Sequence, residues 1–161
     1  MADTLELELE PDWGRIDTSS SETARFLTER GVCMDSVHAL TMVATELLEN
    51  ANKYGSFRDP NARIRYRVTM RGSSITVEVE HPVNEHRADD LGKLDQMIQW
   101  IRSFQDPFQA YLERVKEVSA QSLATTDSGM GLVRIAYEGR SILDFFVDRQ
   151  NHINVSAVHL L

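Results

Sequence analysis

Glu46, Asn50 and Lys53 are the residues whose types and spacing best suit chemistry in this chain. They recur at successive turns of the segment T-E-L-L-E-N-A-N-K-Y-G, Thr45 to Gly55. At roughly 100° per residue, a helix here puts Val37, Leu40, Ala44, Leu47, Leu48 and Ala51 on one side and Glu46, Asn50 and Lys53 on the other. A carboxylate, an amide and an ammonium then share one face. The Asn50 amide oxygen suits magnesium, a hard cation that completes its octahedron with waters and phosphate oxygens. Lys53 would meet phosphate charge, and Glu46 would orient and deprotonate an attacking hydroxyl or water. The same trio also describes a solvated helix face, and periodicity alone does not choose between the two. A second segment, S-G-M-G-L-V-R-I-A-Y-E-G from Ser128 to Gly139, sets two glycines ahead of a short helix. Glycine lets backbone amides approach a phosphate closely, and the helix N-terminus adds free N–H groups. Taken alone, G-x-G fits an ordinary turn equally well.

The elements that must position these residues follow from periodicity. Residues 4 to 10 alternate leucine with acids, the period of a half-buried strand. Ser19 to Ser21 are expected to cap a helix running to about Arg30, with Ala24, Phe26 and Leu27 inward. Asp35 or Ser36 is expected to cap the longer helix that carries Glu46 and ends at Tyr54, with Gly55 as its stop. Two alternating segments, Ala62 to Met70 and Ser74 to Glu80, flank Arg71-Gly72-Ser73 and predict a hairpin. Asp89 and Asp90 open a helical pattern with Leu91, Leu94, Ile98, Ile101 and Phe104 on one face. Asp106-Pro107 restarts a helix that carries Phe108, Tyr111, Leu112, Val115 and Val118. A polar loop from Ala120 to Gly129 leads to a short helix, Met130 to Tyr137. Strands around Ile142 to Val147 and Ile153 to His159 close the chain. The expected fold is α+β, a two-layer sandwich with helices on one face of the sheet. No repeat or linker divides the sequence, so residues 1–161 read as a single domain with a helical insertion at about 88–121.

The run E-x-x-x-N-A-x-K-Y-G closely resembles the N box of the GHKL, or Bergerat-fold, ATPase superfamily, which includes histidine kinases, anti-sigma-factor serine kinases and type II topoisomerases. The resemblance implies Glu46 as general base, Asn50 as magnesium ligand and Lys53 as a phosphate neighbour. Ser128 to Gly139 is similar to the G-x-G-L box that follows, which implies Gly129, Met130, Gly131 and Leu132 as phosphate-loop residues. ATP and Mg2+ are the cofactors implied, on a mixed, mainly antiparallel sheet. The chain departs from the pattern between the boxes. Where the superfamily has D-x-G-x-G, with its aspartate on the adenine amino group, this sequence reads H-P-V-N-E-H. His81 stands at the aspartate position and Val83 at the first glycine. Asp127-Ser128-Gly129-Met130-Gly131 spells the missing motif, but it follows a polar loop rather than a strand, so Asp127 is not assigned to adenine.

Composition narrows the function. A formal net charge of -8 opposes nonspecific binding to nucleic acid or anionic lipid. No segment reaches membrane-spanning length, and the acidic N-terminus is unlike a signal peptide. Cys33, the single cysteine, permits no intrachain disulfide, and it reads as a small buried hydrophobe in a cytoplasmic protein. His81, Glu85 and His86 lack a recognised zinc spacing. The two helices at 88–121 are too long for a simple flap, and serve either core packing or a partner or homodimer surface with Trp100, Phe104, Phe108 or Tyr111 as anchors. The short stretch ahead of Glu46 does not accommodate a histidine kinase's dimerisation helices. The resemblance therefore points to the compact anti-sigma or switch-kinase type, which works with STAS-domain antagonists and sigma factors. The expected activity is a serine/threonine protein kinase acting on such a partner. The alternative is a noncatalytic scaffold that sequesters it.

Overall fold

The computed structural model describes residues 3–84, 88–120 and 129–161. In chain order these form β1 (Asp3–Leu9), α1 (Gly14–Glu29), α2 (Met34–Tyr54), β2 (Ile64–Arg71), β3 (Ser74–Pro82), α3 (Ala88–Arg102), α4 (Pro107–Ala120), α5 (Met130–Tyr137), β4 (Ser141–Val147) and β5 (His152–Leu160). The strands make one sheet in the order β1-β2-β3-β5-β4, and every pairing is antiparallel. The α+β sandwich is thus the observed fold, and among the described residues its sheet is antiparallel throughout rather than mixed.

Period-two alternation decides which sheet face is covered. Ile64, Tyr66 and Val68 of β2 and Ile75, Val77 and Val79 of β3 are buried on the inner face. Leu5, Leu7 and Leu9 of β1 pack beside them. Their neighbours in sequence turn outward and form rungs of charge. Arg67 pairs with Glu6 at 2.8 Å and Glu78 at 3.7 Å, and Arg65 lies near Glu8 and Glu80. Exposed pairs of this kind contribute about 0–1 kcal/mol each, so their main effect is to keep the outer face wet.

The helices cover the inner face. Val37, Leu40, Ala44, Leu47, Leu48 and Ala51 of α2 are all buried, as the helical period requires. Burying a leucine fully is worth about 1.5–3 kcal/mol, so this stripe fixes how α2 is rotated. Its opposite face is left for Glu46, Asn50 and Lys53. The helix ends where the Gly55 backbone turns extended, at φ −68° and ψ 152°, and a Cβ there would meet Phe57 and the Ala51 carbonyl. The next residue is tied to the sheet, Ser56 N–H donating to the Pro82 carbonyl at 2.9 Å.

Three expectations are corrected. Helix α1 starts at Gly14, not at Ser19 to Ser21. The Ser19 and Thr23 hydroxyls donate to carbonyls four residues back, at 2.8 Å each, and Asp12 accepts from the Gly14 N–H at 2.9 Å. Helix α2 begins at Met34 with Cys33 at its N-cap position, so neither Asp35 nor Ser36 caps it, and Ser36 Oγ lies instead 3.0 Å from His159 Nε2. Cys33 is exposed rather than buried, at the N-cap of α2. Its thiol pKa is lowered by hydrogen bonds from the Ser36 side chain and backbone.

Candidate functional site

The free face of α2 opens on a cleft of about 840 Å3, bounded also by β3, β5, α3, α4 and the start of α5. Glu46, Asn50 and Lys53 line it together with Gly129, Met130, Gly131 and Leu132, so the two distant segments meet. Asn50 is half-buried and Lys53 is exposed. Leu132 is different in kind, because its side chain is buried in the core.

Glu46 lies between helices. Its Oε1 accepts from Arg134 Nη1 of α5 at 2.6 Å, with the carboxylate only 14% exposed. Its Oε2 stands where a Cβ on Gly131 would be. Gly131 and Arg134 are one turn apart on α5, so one carboxylate docks two positions of that helix. Burial raises the Glu46 pKa from its ordinary 4.5, and the Arg134 charge opposes the shift. The result is a carboxylate that holds a proton more readily than one in water.

Gly129 caps α5 with φ +65°, in the left-handed region where glycine is favoured. A Cβ there would stand 2.7 Å from Met97 Cε of α3, and 3.3 Å and 3.4 Å from Nη2 and Nε of Arg114 on α4. The helical segment 88–120 therefore reaches the glycine turn directly. It is anchored there, since Phe108 and Tyr111 place their rings 5.0 Å and 5.2 Å from Tyr137 of α5, and Ala110 is fully buried. Trp100 and Phe104 meet edge to face at 4.9 Å and are only partly exposed. Of the four aromatic anchors expected in this segment, Phe108 is the most exposed, at 37%.

The opposite wall is mostly apolar. Val79, Ile153, Val155, Leu94, Met97 and Trp100 line it. His81 lies there too, on the inner face of β3 and 5% exposed. Its Nδ1 is 3.0 Å from the Pro82 carbonyl, which can only accept, so this contact fits the Nδ1-protonated ring. Glu85, His86, Asp127 and Ser128 lie outside the described residues. Among the described residues no group of three or more His, Cys, Asp or Glu is placed to hold a metal ion. No helix among them is long and apolar enough to cross a membrane.

Arg114 and Arg134 were not singled out by the sequence. Arg134 carries a weak signal, one turn beyond Gly131 on a predicted helix. Arg114 carries none, because its link to the glycine turn exists only once α4 has packed on α5.

No protein-family model and no curated protein matches the chain. Among solved structures, it is similar to a chain of the crystal structure of the SiaB–SiaC complex from Pseudomonas aeruginosa, with a TM-score of 0.72 and 16% identity. The match covers 96% of this chain and 88% of that one. At this identity the likeness concerns the fold, which the two chains share over nearly their whole lengths.

Proposed function

We propose that this protein is a nucleotide-dependent regulator of a protein partner, binding ATP with Mg2+ in the α2–α5 cleft and phosphorylating or sequestering a STAS-domain antagonist. A sigma factor would be the downstream target. The observation that carries this reading is the convergence of Glu46, Asn50 and Lys53 with Gly129 to Leu132 around one cleft of ligand size. The similar solved chain belongs to a complex of two proteins, which supports a protein as partner.

The residues present fit the group. Asn50 offers a half-buried amide oxygen, a hard donor of the kind magnesium takes, beside the Lys53 ammonium and the amides at the start of α5. Bound magnesium would neutralise phosphate charge. Glu46 would act as the general base toward a serine or threonine hydroxyl. Burial raises its affinity for the proton, which suits a base working near neutrality. Arg134 holds Oε1, so Oε2, beside Gly131, is the oxygen that would take the hydroxyl proton. Phosphate added to the partner carries roughly two negative charges, enough to reverse its docking.

The Glu46–Arg134 pair also favours a second reading, a noncatalytic scaffold in which the carboxylate joins α2 to α5. Transfer of labelled phosphate from ATP to a co-encoded STAS protein separates the two. Transfer by the parent and not by Glu46→Ala supports the kinase, whereas partner binding without transfer supports the scaffold.

A further inference from the structure

One edge of the sheet is closed by side chains. Among the described residues β4 pairs only with β5, so its other side is a sheet edge. Just past the strand, the Asp148 N–H donates to the His152 carbonyl at 2.9 Å. Hydrogen-bonded positions alternate along an antiparallel pair, so Phe146, Asp144 and Ile142 bond to β5, while Phe145 and Leu143 present their N–H and C=O groups outward. Two of those outward groups are occupied. Arg102 Nη2, from the last turn of α3, donates to the Leu143 carbonyl, and Asp144 Oδ1 accepts from the Phe145 N–H at 2.9 Å. Both capping side chains are exposed and lie 3.8 Å from each other. Ile142 and Phe146 flank Asp144 on the outer face of the sheet, 57% and 60% exposed. An apolar edge of this kind invites another strand, and a charge at its middle restricts which one.

We propose that the β4 edge is a docking site for an extended segment of a protein partner, which adds a further strand once Arg102 and Asp144 release the backbone groups they hold. An extended chain supplies both the donor for the Leu143 carbonyl and the acceptor for the Phe145 N–H. On the outer face its side chains would run apolar, basic, apolar, beside Ile142, Asp144 and Phe146. A second copy of β4 is a poor occupant, because the antiparallel register that sets Ile142 beside Phe146 also sets Asp144 beside Asp144. Arg102 belongs to α3, whose Leu94, Met97 and Trp100 line the cleft. A strand that takes the Leu143 carbonyl therefore frees a wall of the cleft from the sheet, whether or not a nucleotide is bound.

The test is an NMR titration of the isotope-labelled whole protein with the peptide acetyl-Thr-Val-Thr-Lys-Thr-Val-Thr-amide. The parent should bind it saturably, with the largest shift at the Phe145 amide. Arg102→Ala should bind about tenfold more tightly, the gain from removing one charge-assisted competitor. Glutamate in place of the peptide's lysine should weaken binding severalfold, and N-methylation of the peptide nitrogens that face the edge should abolish it. In the parent, the peptide should also speed amide hydrogen exchange along α3. No binding by the parent, equal binding of the glutamate or N-methylated peptide, or Arg102→Ala binding no more tightly would overturn the docking site and leave the nucleotide reading intact. Unchanged exchange in α3 on binding would overturn its link to the cleft. The comparison of peptides on the parent holds even if Arg102→Ala fails to fold.

Discussion

The two long walls of the cleft are built differently. Where α2 meets α5, contacts are one to one: the Glu46 carboxylate takes Arg134 with one oxygen and fills the place of a Gly131 side chain with the other. Where β3 and β5 face α3, Val79, Ile153, Val155, Leu94, Met97 and Trp100 supply apolar surface with His81 among them. The first wall tolerates few residue types at each position, because a charge and a close approach are both involved. The second needs only shape and hydrophobicity, and such surfaces accept substitution more readily. The residues that resemble the N and glycine boxes lie on the first wall, while His81 and Val83, where the sequence departs from D-x-G-x-G, line the cleft with the second. Gly131 lies against the Glu46 carboxylate whether or not a phosphate is bound.

Breaking the one-to-one wall should have the largest effect. Arg134→Ala leaves Glu46 without this partner and should destabilise the fold by about 1–2 kcal/mol in denaturant melts, since Arg134 is 39% exposed and water replaces part of the bond. A smaller loss, about 0–1 kcal/mol, is expected from Gly131→Ala, because its methyl group would meet only the movable end of the Glu46 side chain and alanine favours the helix. The apolar wall can be sharpened instead of broken. On the nucleotide reading, His81→Asp supplies a carboxylate acceptor for the adenine amino group and should favour ATP over inosine triphosphate by about tenfold or more, one charge-assisted hydrogen bond. An unchanged ratio would show that His81 does not face the base.

The smallest effect is one of pH. The folded-state pKa of Glu46 is raised, so the folded protein binds this proton more tightly than the unfolded chain does. The stability it contributes is present below the ordinary 4.5 and is lost as pH rises through the elevated value. Glu46→Gln should remove that part of the pH dependence and leave stability at neutrality equal or slightly higher. Stability that falls more steeply with rising pH in Glu46→Gln than in the parent would mean that the Arg134 charge outweighs burial.

Much of the fold was legible because it rests on period. The apolar stripe of α2 and the alternation of β2 and β3 are local patterns, and each fixes which face is covered. The start of α1 was not legible, since serines and threonines that bond back within a helix look like caps in sequence. Cys33 was misread because composition says that cysteines are usually buried, whereas its position before Met34 makes it a helix cap. In the site, Glu46, Asn50, Lys53 and the glycines could be named from spacing and resemblance. Their partners could not. The Glu46–Arg134 pair joins positions 88 residues apart, and the Arg114–Gly129 approach depends on how α4 packs.

The central claim is that the α2–α5 wall binds the magnesium–phosphate end of a nucleotide. Calorimetric titration of ATP with magnesium into the parent and into Asn50→Ala tests it most directly. The account predicts saturable heat with the parent and a loss of about tenfold or more in affinity when the Asn50 oxygen is removed. No heat with the parent, or equal affinity in the two proteins, would contradict it.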